Sequence, residues 1–278
     1  MRAAPVPALP DLAAIAREMK EAQDRVAQLA PFTARHPGFD ALSAYDVARR
    51  VSGQRRAEGL VPVGRKIGFT NSSLWPVYGV REPIWGTMYD RTVIRLDGAR
   101  ARLSLSAFAE PKIEPEIVFG LASAPAPGAD RDALLRSIAW VAHGFEIVQS
   151  HFPGWKFQAA DTVADNGLHG ALLLGRPQPV PALGADLVES LRSFAVKLSC
   201  GGDVMETGRG SNVLGGPLAA LAHLVSVLAG QPGSEPLRPG EIVTTGTLTA
   251  AYPVRAGEIW KTELRGLALT GLEVAFTA

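Results

Sequence analysis

The residues best able to do chemistry are acidic ones set among apolar ones. In EPKIEPEIVFG, residues 110–120, Glu114 and Glu116 lie two apart, with Glu110 just upstream and Ile117-Val118-Phe119 directly after. Successive side chains on a strand point to opposite faces, so Glu114 and Glu116 share one face with α-carbons about 6.6 Å apart. A solvated strand face has the same spacing. Two features argue for burial: the run after Glu116 is apolar on both faces, and Glu146 has an equally apolar setting in GFEIV. Two buried carboxylates about 4 Å apart repel by about 4 kcal/mol at an effective dielectric of about 20, and desolvation adds several kcal/mol for each. Such a cluster must take up protons or hold a cation. All-oxygen ligands favour a hard ion, Mg²⁺ or Mn²⁺, over zinc.

The elements that must position these residues follow from periodicity. Residues 11–30 place Leu12, Ile15, Met19, Ala22, Val26 and Leu29 at helical spacing behind Asp11 as N-cap. A second helix is expected from Ser43, where Ser43 and Asp46 have capping-box spacing, and its Arg49, Arg50, Arg55 and Arg56 read as a solvated face. From about residue 60 the texture changes to short β-like runs punctuated by Gly and Pro, among them VPVGRKIGF, KIEPEIVFG, FEIVQS and FAVKLSC. Two helices are expected to interrupt them, one over 131–142 and one from Pro217 to a stop at Gly230. The Pro- and Gly-rich stretches APAPGAD and GRPQPVPALGAD read as surface loops, because strands resume on both sides. The expected architecture is α+β: a helical N-terminal segment, residues 1–60, packed on one larger, mostly β domain, residues 61–278.

Composition narrows the function classes. The chain is 47% hydrophobic, enough for a sizeable core, and 28 Lys+Arg against 27 Asp+Glu leave a net charge of +1. That balance argues against nucleic acid or an anionic membrane as partner. Cys200 is the only cysteine, which rules out an internal disulfide and fits a reducing, cytoplasmic compartment. Pro5, Pro7 and Pro10, followed by Asp11, Arg17 and Glu18, break any signal-like apolar stretch. No later segment is expected to reach about 18 uncharged apolar residues, so no membrane span is expected.

Several segments then carry a family likeness in order and spacing: VGRKIGFTN (63–71), EPIWGTMYD (82–90), KIEPEIVF (112–119), FEIVQS (145–150), WKFQAADTVADN (155–166), TGRGSNVLGGPLAALAHL (207–224) and GTLTAAYPVRAGEI (246–259). Together they resemble the 2-keto-4-pentenoate hydratase and 4-oxalocrotonate decarboxylase family, part of the wider fumarylacetoacetate hydrolase-like superfamily. The resemblance implies a mixed β-sandwich-like core with an N-terminal helical segment, a divalent metal, and a homo-oligomer built from dimers. It implies Glu114, Glu116 and Glu146 as metal ligands and Lys66, in G-x-K-x-G, at the substrate. The implied substrates are small 2-oxo or 2-hydroxy-dienoic acids from aromatic ring cleavage. The leading expectation is a hydratase, a lyase that adds water to such an acid. A 2-oxo acid decarboxylase comes second, a superfamily C–C bond hydrolase third, and a catalytically silent structural partner subunit is the rival from another class.

Other residues have two readings each. Gln158 and Asp161 match the family's Q-x-x-D run and are expected to line the substrate site, although Asp161 and Asp165 also suit turn capping. Thr247 and Thr249 in G-T-L-T can hydrogen-bond a substrate carboxylate or stand as strand threonines. The chain departs from the family at Ile84, where hydratases commonly carry Asp in P-D-x-G, and at Gly167-Leu168-His169, where small residues are usual. Ile84 and Pro115 look more like the decarboxylases. His169 is expected to supply the missing proton transfer, since imidazole titrates near neutral pH; a hydrogen-bonded structural histidine is its other reading. GRGSN (208–212) lacks the lysine of a P-loop and reads as the approach to a helix, and Trp75, Trp85 and Trp155 read as core or interface anchors.

Overall fold

Asp11 opens α1 (Leu12–Arg25) by accepting from the Ala13 and Ala14 amides at 3.0 Å, and Val26 closes it in the left-handed conformation (φ 53°), earlier than periodicity alone suggests. This computed structural model describes residues 10–78 and 80–278, so the reading of the first nine residues lies outside them. After α2 (Phe32–Arg35) comes α3 (Ala41–Ala57). Its cap is Asp40, which accepts from the Ser43 amide at 2.8 Å, so Ser43 belongs to the first turn and is not the cap. The arginine face of α3 is less solvated than expected: the Arg55 side chain, 17% exposed, pairs with Asp24 of α1 and with Glu58.

The strands are β1 (Pro62–Gly68), β2 (Ile84–Tyr89), β3 (Val93–Arg95), β4 (Arg100–Ser104), β5 (Lys112–Leu121), β6 (Ile138–Val148), β7 (His169–Leu174), β8 (Gln178–Pro179), β9 (Ala195–Cys200), β10 (Asp203–Arg209), β11 (Ile242–Thr244), β12 (Tyr252–Pro253), β13 (Ile259–Arg265) and β14 (Glu273–Thr277). Between them lie α4 (Trp75–Tyr78), α5 (Arg131–Arg136), α6 (Ala159–Ala164), α7 (Leu187–Ser193) and α8 (Pro217–Gly230). One sheet runs β2-β1-β11-β5-β6-β7-β3, with β12 added to β5 and β8 to β6; the other runs β10-β9-β13-β14-β4. Both are mixed: β1–β11, β3–β7 and β4–β14 are parallel, the other pairs antiparallel. The fold is α+β, helices on mixed sheets, as expected.

Packing explains the continuous apolar runs. Ile113, Phe145 and Ile147 of the first sheet meet Leu198, Trp260 and Phe276 of the second. Farther along the same face, Ile117, Phe119 and Val141 pack under Leu221, Leu224 and Leu228 of α8. Met88, Val118 and Leu172 fill the opposite face. Strands β5 and β6 are therefore buried on both faces and have no polar alternation. The N-terminal helices join through Phe32 and Val47, which cluster with Ile84, Phe152 and Val163.

Two expectations about helices are corrected. The helix expected over 131–142 stops at Arg136, because Ile138, Trp140 and Val141 are strand formers taken up by β6. Residues 210–230 do contain an 18-residue stretch apolar enough to count as a candidate span, with mean hydropathy 1.8, against the expectation that none exists. Its α-helical part is the 14-residue α8, about 21 Å long, short of a bilayer core of about 30 Å, and Leu218, Leu221 and Leu224 lie in the protein core.

Close approach fixes one glycine that matters for the site. A Cβ on Gly86 would stand 2.1 Å from the Asn166 carbonyl oxygen, in the turn that follows α6. Replacing Gly86 by Ala is expected to cost about 1–3 kcal/mol, the scale of an overpacked interior, read as a lower denaturation midpoint. An unchanged midpoint would refute that contact.

Candidate metal and substrate site

Glu114 and Glu146 face each other residue for residue across the β5–β6 ladder, and Glu116 stands two positions along β5 on the same face. Oxygens of the three carboxylates come within 4.8 Å of one another. Glu116 and Glu146 are fully buried, while Glu114 reaches the wall of a cleft. The Gly246 amide donates to Glu116 Oε2 at 2.7 Å. Gly246 has φ 94°, and a Cβ there would sit 1.8 Å from Thr70 Oγ1, so this donor position requires glycine. Glu146 Oε1 meets His169 Nδ1 at 2.8 Å, and its Oε2 lies 3.4 Å from Lys66 Nζ.

Electrostatics follow from that packing. Burial raises the Glu116 carboxyl well above the carboxylate range, with Glu146 and Glu114 adding repulsion. Burial likewise lifts Glu114 to about 7, against the pull of Lys66. Burial also opposes the charge on Glu146, but Lys66 and the His169 hydrogen bond outweigh it and hold that carboxyl below its ordinary value. Burial opposes the Lys66 ammonium too, yet attraction to Glu146, Glu114 and Glu116 keeps its pKa raised.

The donor set fits a hard divalent cation. All its ligand atoms are oxygens, and buried Glu116 Oε1 and Glu146 Oε2 have no hydrogen-bond partner. Fully ionised, three carboxylates against one ammonium leave two negative charges, which one divalent cation would balance.

Beside the cluster lies a cleft of about 470 Å³ of empty space. Lys66, Glu114, Asn71 and Thr247 give it polarity, and Phe69, Ile84, Val148, Trp155 and Leu168 make the rest of its wall apolar. Lys66 Nζ donates to the Gly167 carbonyl at 3.0 Å, which fixes its reach. Phe69 (φ 55°), Trp155 (φ 58°) and Leu168 (φ 64°) hold left-handed backbone that such bulky residues avoid, and this strain clusters around the cleft.

The other expected site residues divide. Thr247 lines the cleft. Thr249 is fully buried, its hydroxyl donating to the Ala250 carbonyl. Asp161 acts as a cap, accepting from the Gln158 amide at 2.9 Å and from the Thr33 amide and hydroxyl at 2.9 and 2.6 Å, which ties α2 to α6. Gln158 completes that capping box and, like Asp161 and Thr249, is not among the residues lining the cleft. His169 has both ring nitrogens engaged, Nδ1 by Glu146 and Nε2 by Thr92 Oγ1 at 2.9 Å. It therefore orients Glu146, and it is not among the residues lining the cleft.

Sequence reasoning missed the apolar wall. Trp155, read as an anchor, lines the cleft, with Lys112 Nζ 3.7 Å from its ring centre and its Nε1 donating to the Glu110 carbonyl at 3.0 Å. Glu110 stands apart from the cluster and holds this turn through the Gly154 amide at 3.0 Å. An aromatic directly after a Pro-Gly turn, in PGW, was the signal available.

Mixed sheets that enclose three carboxylates beside a buried lysine define the class, a protein with a buried acidic cluster fit for a hard cation next to a small-molecule cleft. Residues 83–274 match the family described as fumarylacetoacetate (FAA) hydrolase C-terminal, and the chain belongs to that family. It is 32% identical over 258 residues to a 2-hydroxyhexa-2,4-dienoate hydratase of Comamonas testosteroni, covering 92% of this chain and 95% of the relative. It is 31% identical over 256 residues to a 4-oxalocrotonate decarboxylase of Pseudomonas sp. (strain CF600), covering 91% and 93%. Among solved structures, 4-oxalocrotonate decarboxylase from Pseudomonas putida G7, complexed with magnesium and adipate, superposes with a TM-score of 0.86 at 29% identity, covering 98% of this chain and all of that one.

Two outcomes are expected of the cluster. MgCl₂ added after EDTA treatment should raise the thermal midpoint more at about pH 8 than at about pH 6, because raised carboxyl pKa values mean protons that a cation must displace. Equal rises at both pH values would refute this. Replacing His169 by Asn should weaken Mg²⁺ binding by about 10–100-fold in calorimetry, the usual cost of losing a group that orients a ligand.

Proposed function

We propose that the protein is a divalent-metal-dependent hydratase, a lyase that adds water to a small 2-hydroxy-dienoate or 2-oxo-enoate formed in aromatic-compound breakdown. The observation that carries this is one cleft onto which both Lys66 and the cluster's Glu114 open. Glu114, Glu116 and Glu146 would hold Mg²⁺ or Mn²⁺, which when bound supplies Lewis acidity toward a 2-oxo oxygen.

The chain's own groups account for the rest. Lys66, kept charged by the carboxylates, attracts an anionic substrate and donates to oxygen as negative charge develops there. Ile84, Val148 and Leu168 receive the hydrocarbon part and exclude bulk water. In hydration the enol oxygen loses its proton and the terminal carbon gains one, giving the conjugated enone; water oxygen then bonds to the far alkene carbon while its neighbour takes a proton. Asn71, whose Oδ1 is occupied by Ser73, has its amide N–H groups to offer, and the Thr247 hydroxyl, which donates to the Thr249 carbonyl and accepts from the Thr249 amide, offers its remaining lone pair to a water.

One observation favours the decarboxylase as second reading. Among the described residues lining the cleft, Lys66 and Glu114 are the titratable ones, so the described apolar part brings no further acid or base. Loss of CO₂ needs an electron sink and a proton for the carbanion, with no activated water. Assembly as a homo-oligomer of dimers in the cytoplasm goes with either reading, and exposed Val204, Met205 and Ile259 offer apolar surface for it.

With Mg²⁺ present, 2-hydroxypenta-2,4-dienoate should lose its ultraviolet absorbance without releasing CO₂, and 2-oxohex-3-enedioate is tested in parallel. CO₂ release from the latter alone would instead establish the decarboxylase, and no change in either would reject both readings. Lys66→Met should lower kcat/KM by at least about 100-fold, as loss of a charge-stabilising donor does, while Mg²⁺ binding is retained.

A further inference from the structure

A second cavity backs onto the first. It is partly open and holds about 890 Å³ of empty space, solvent at its mouth included, and Arg49, Arg56 and Arg65 line it together with Tyr45 and Trp85. Its charge is unbalanced. Arg49 pairs with Asp46 at 3.6 Å while largely exposed, Arg65 reaches Glu241 only at 3.4 Å, and the one carboxylate on the wall, Glu235, is taken by Arg238 at 3.1 Å. Arg65 is 5% exposed, and its Nε has no hydrogen-bond partner. A buried guanidinium donor without an acceptor is costly, and an anion entering the cavity is what would satisfy it. The aromatic wall supplies a flat, apolar surface: the Tyr45 and Trp85 rings stack at 5.2 Å, and the Arg65 guanidinium lies 5.6 Å from the Trp85 ring centre.

The two chambers share a wall. Arg65 and Lys66 are neighbours on β1, and Arg65 lines the second cavity while Lys66 lines the cleft. Trp85 and Ile84 divide the same way on β2, as do Asn166 and Gly167 in the turn after α6. Asn166 holds that turn to β2 by pairing with both the amide and the carbonyl of Thr87 at 2.8 Å.

We propose that this cavity is a second ligand site, separate from the catalytic cleft, that takes a small organic anion with a carboxylate or phosphate head held by Arg65, Arg49 and Arg56 and a planar body against Tyr45 and Trp85. Carboxylate and phosphate share the chemistry that two or three guanidinium forks recognise.

The test titrates the full-length, Mg²⁺-loaded protein with sodium benzoate and, separately, with inorganic phosphate, by calorimetry and by tryptophan fluorescence, since Trp85 lines the cavity. Saturable binding of at least one probe is expected, and which one binds identifies the head group. The Arg49→Gln/Arg56→Gln double variant, changed at side chains outside the core, should bind at least about tenfold more weakly, the effect of removing charge-assisted hydrogen bonds. Lys66→Met should bind the probe as wild type does. The proposal is overturned if wild type binds neither probe, if the double variant binds as tightly as wild type, or if binding is lost in Lys66→Met.

Discussion

Three carboxylates enclosed in a protein interior with one ammonium between them is a condition few arrangements satisfy, and most of this fold can be understood as satisfying it. Each buried negative charge costs several kcal/mol in desolvation, and its neighbours repel it further. Lys66 removes one unit of that excess, and the Gly246 amide and His169 spread part of the remainder into hydrogen bonds. Glu116 Oε1 and Glu146 Oε2 accept no hydrogen bond, so the cluster reaches balance by taking up protons or by holding a cation. The site is thus held by the same term that would otherwise destabilise the sheet.

That requirement dictates the neighbourhood. The carboxylates must stay together without collapsing onto water, so β5 and β6 are buried on both faces and the ladder pairs Glu114 with Glu146 directly. A one-residue slip of that register would turn Glu146 toward Phe145's side of the sheet and leave it among apolar side chains with no counter-charge. Glycine at position 246 lets a backbone amide reach Glu116, and the strained turns at Phe69, Trp155 and Leu168 bring apolar atoms up to the cleft's wall. Strain of this kind persists only where surrounding packing over-determines it.

Much of this was legible in the residues, and the limits have physical causes. The two-residue spacing of Glu114 and Glu116 put them on one face, and the apolar settings of all three glutamates implied a shared interior. Their exact pairing was not legible, because ladder register depends on contacts between segments about thirty residues apart. Helix ends depend on similar information: Ile138 to Ala142 have helical spacing with what precedes them, but the neighbouring strand captures them. His169 shows the limit most clearly. Its type suggested proton transfer, but the partners of its two nitrogens, Glu146 and Thr92, come from other parts of the chain and had no sign in the residues beside it. Asp161 was readable either as a substrate contact or as a cap, and Thr33, distant in sequence, decides it.

The same charge accounting applies on the far side of the shared wall. Arg65 and Lys66 are consecutive cations on a buried strand, and strand alternation sends them to different chambers. Lys66 meets three carboxylates and has a surplus of negative charge around it. Arg65 meets one carboxylate at the outer limit of a hydrogen bond and keeps a donor unsatisfied. Buried negative charge calls for a cation at the first site and an unsatisfied buried guanidinium donor calls for an acceptor at the second, on opposite sides of a wall where Gly86 and Asn166 are in contact.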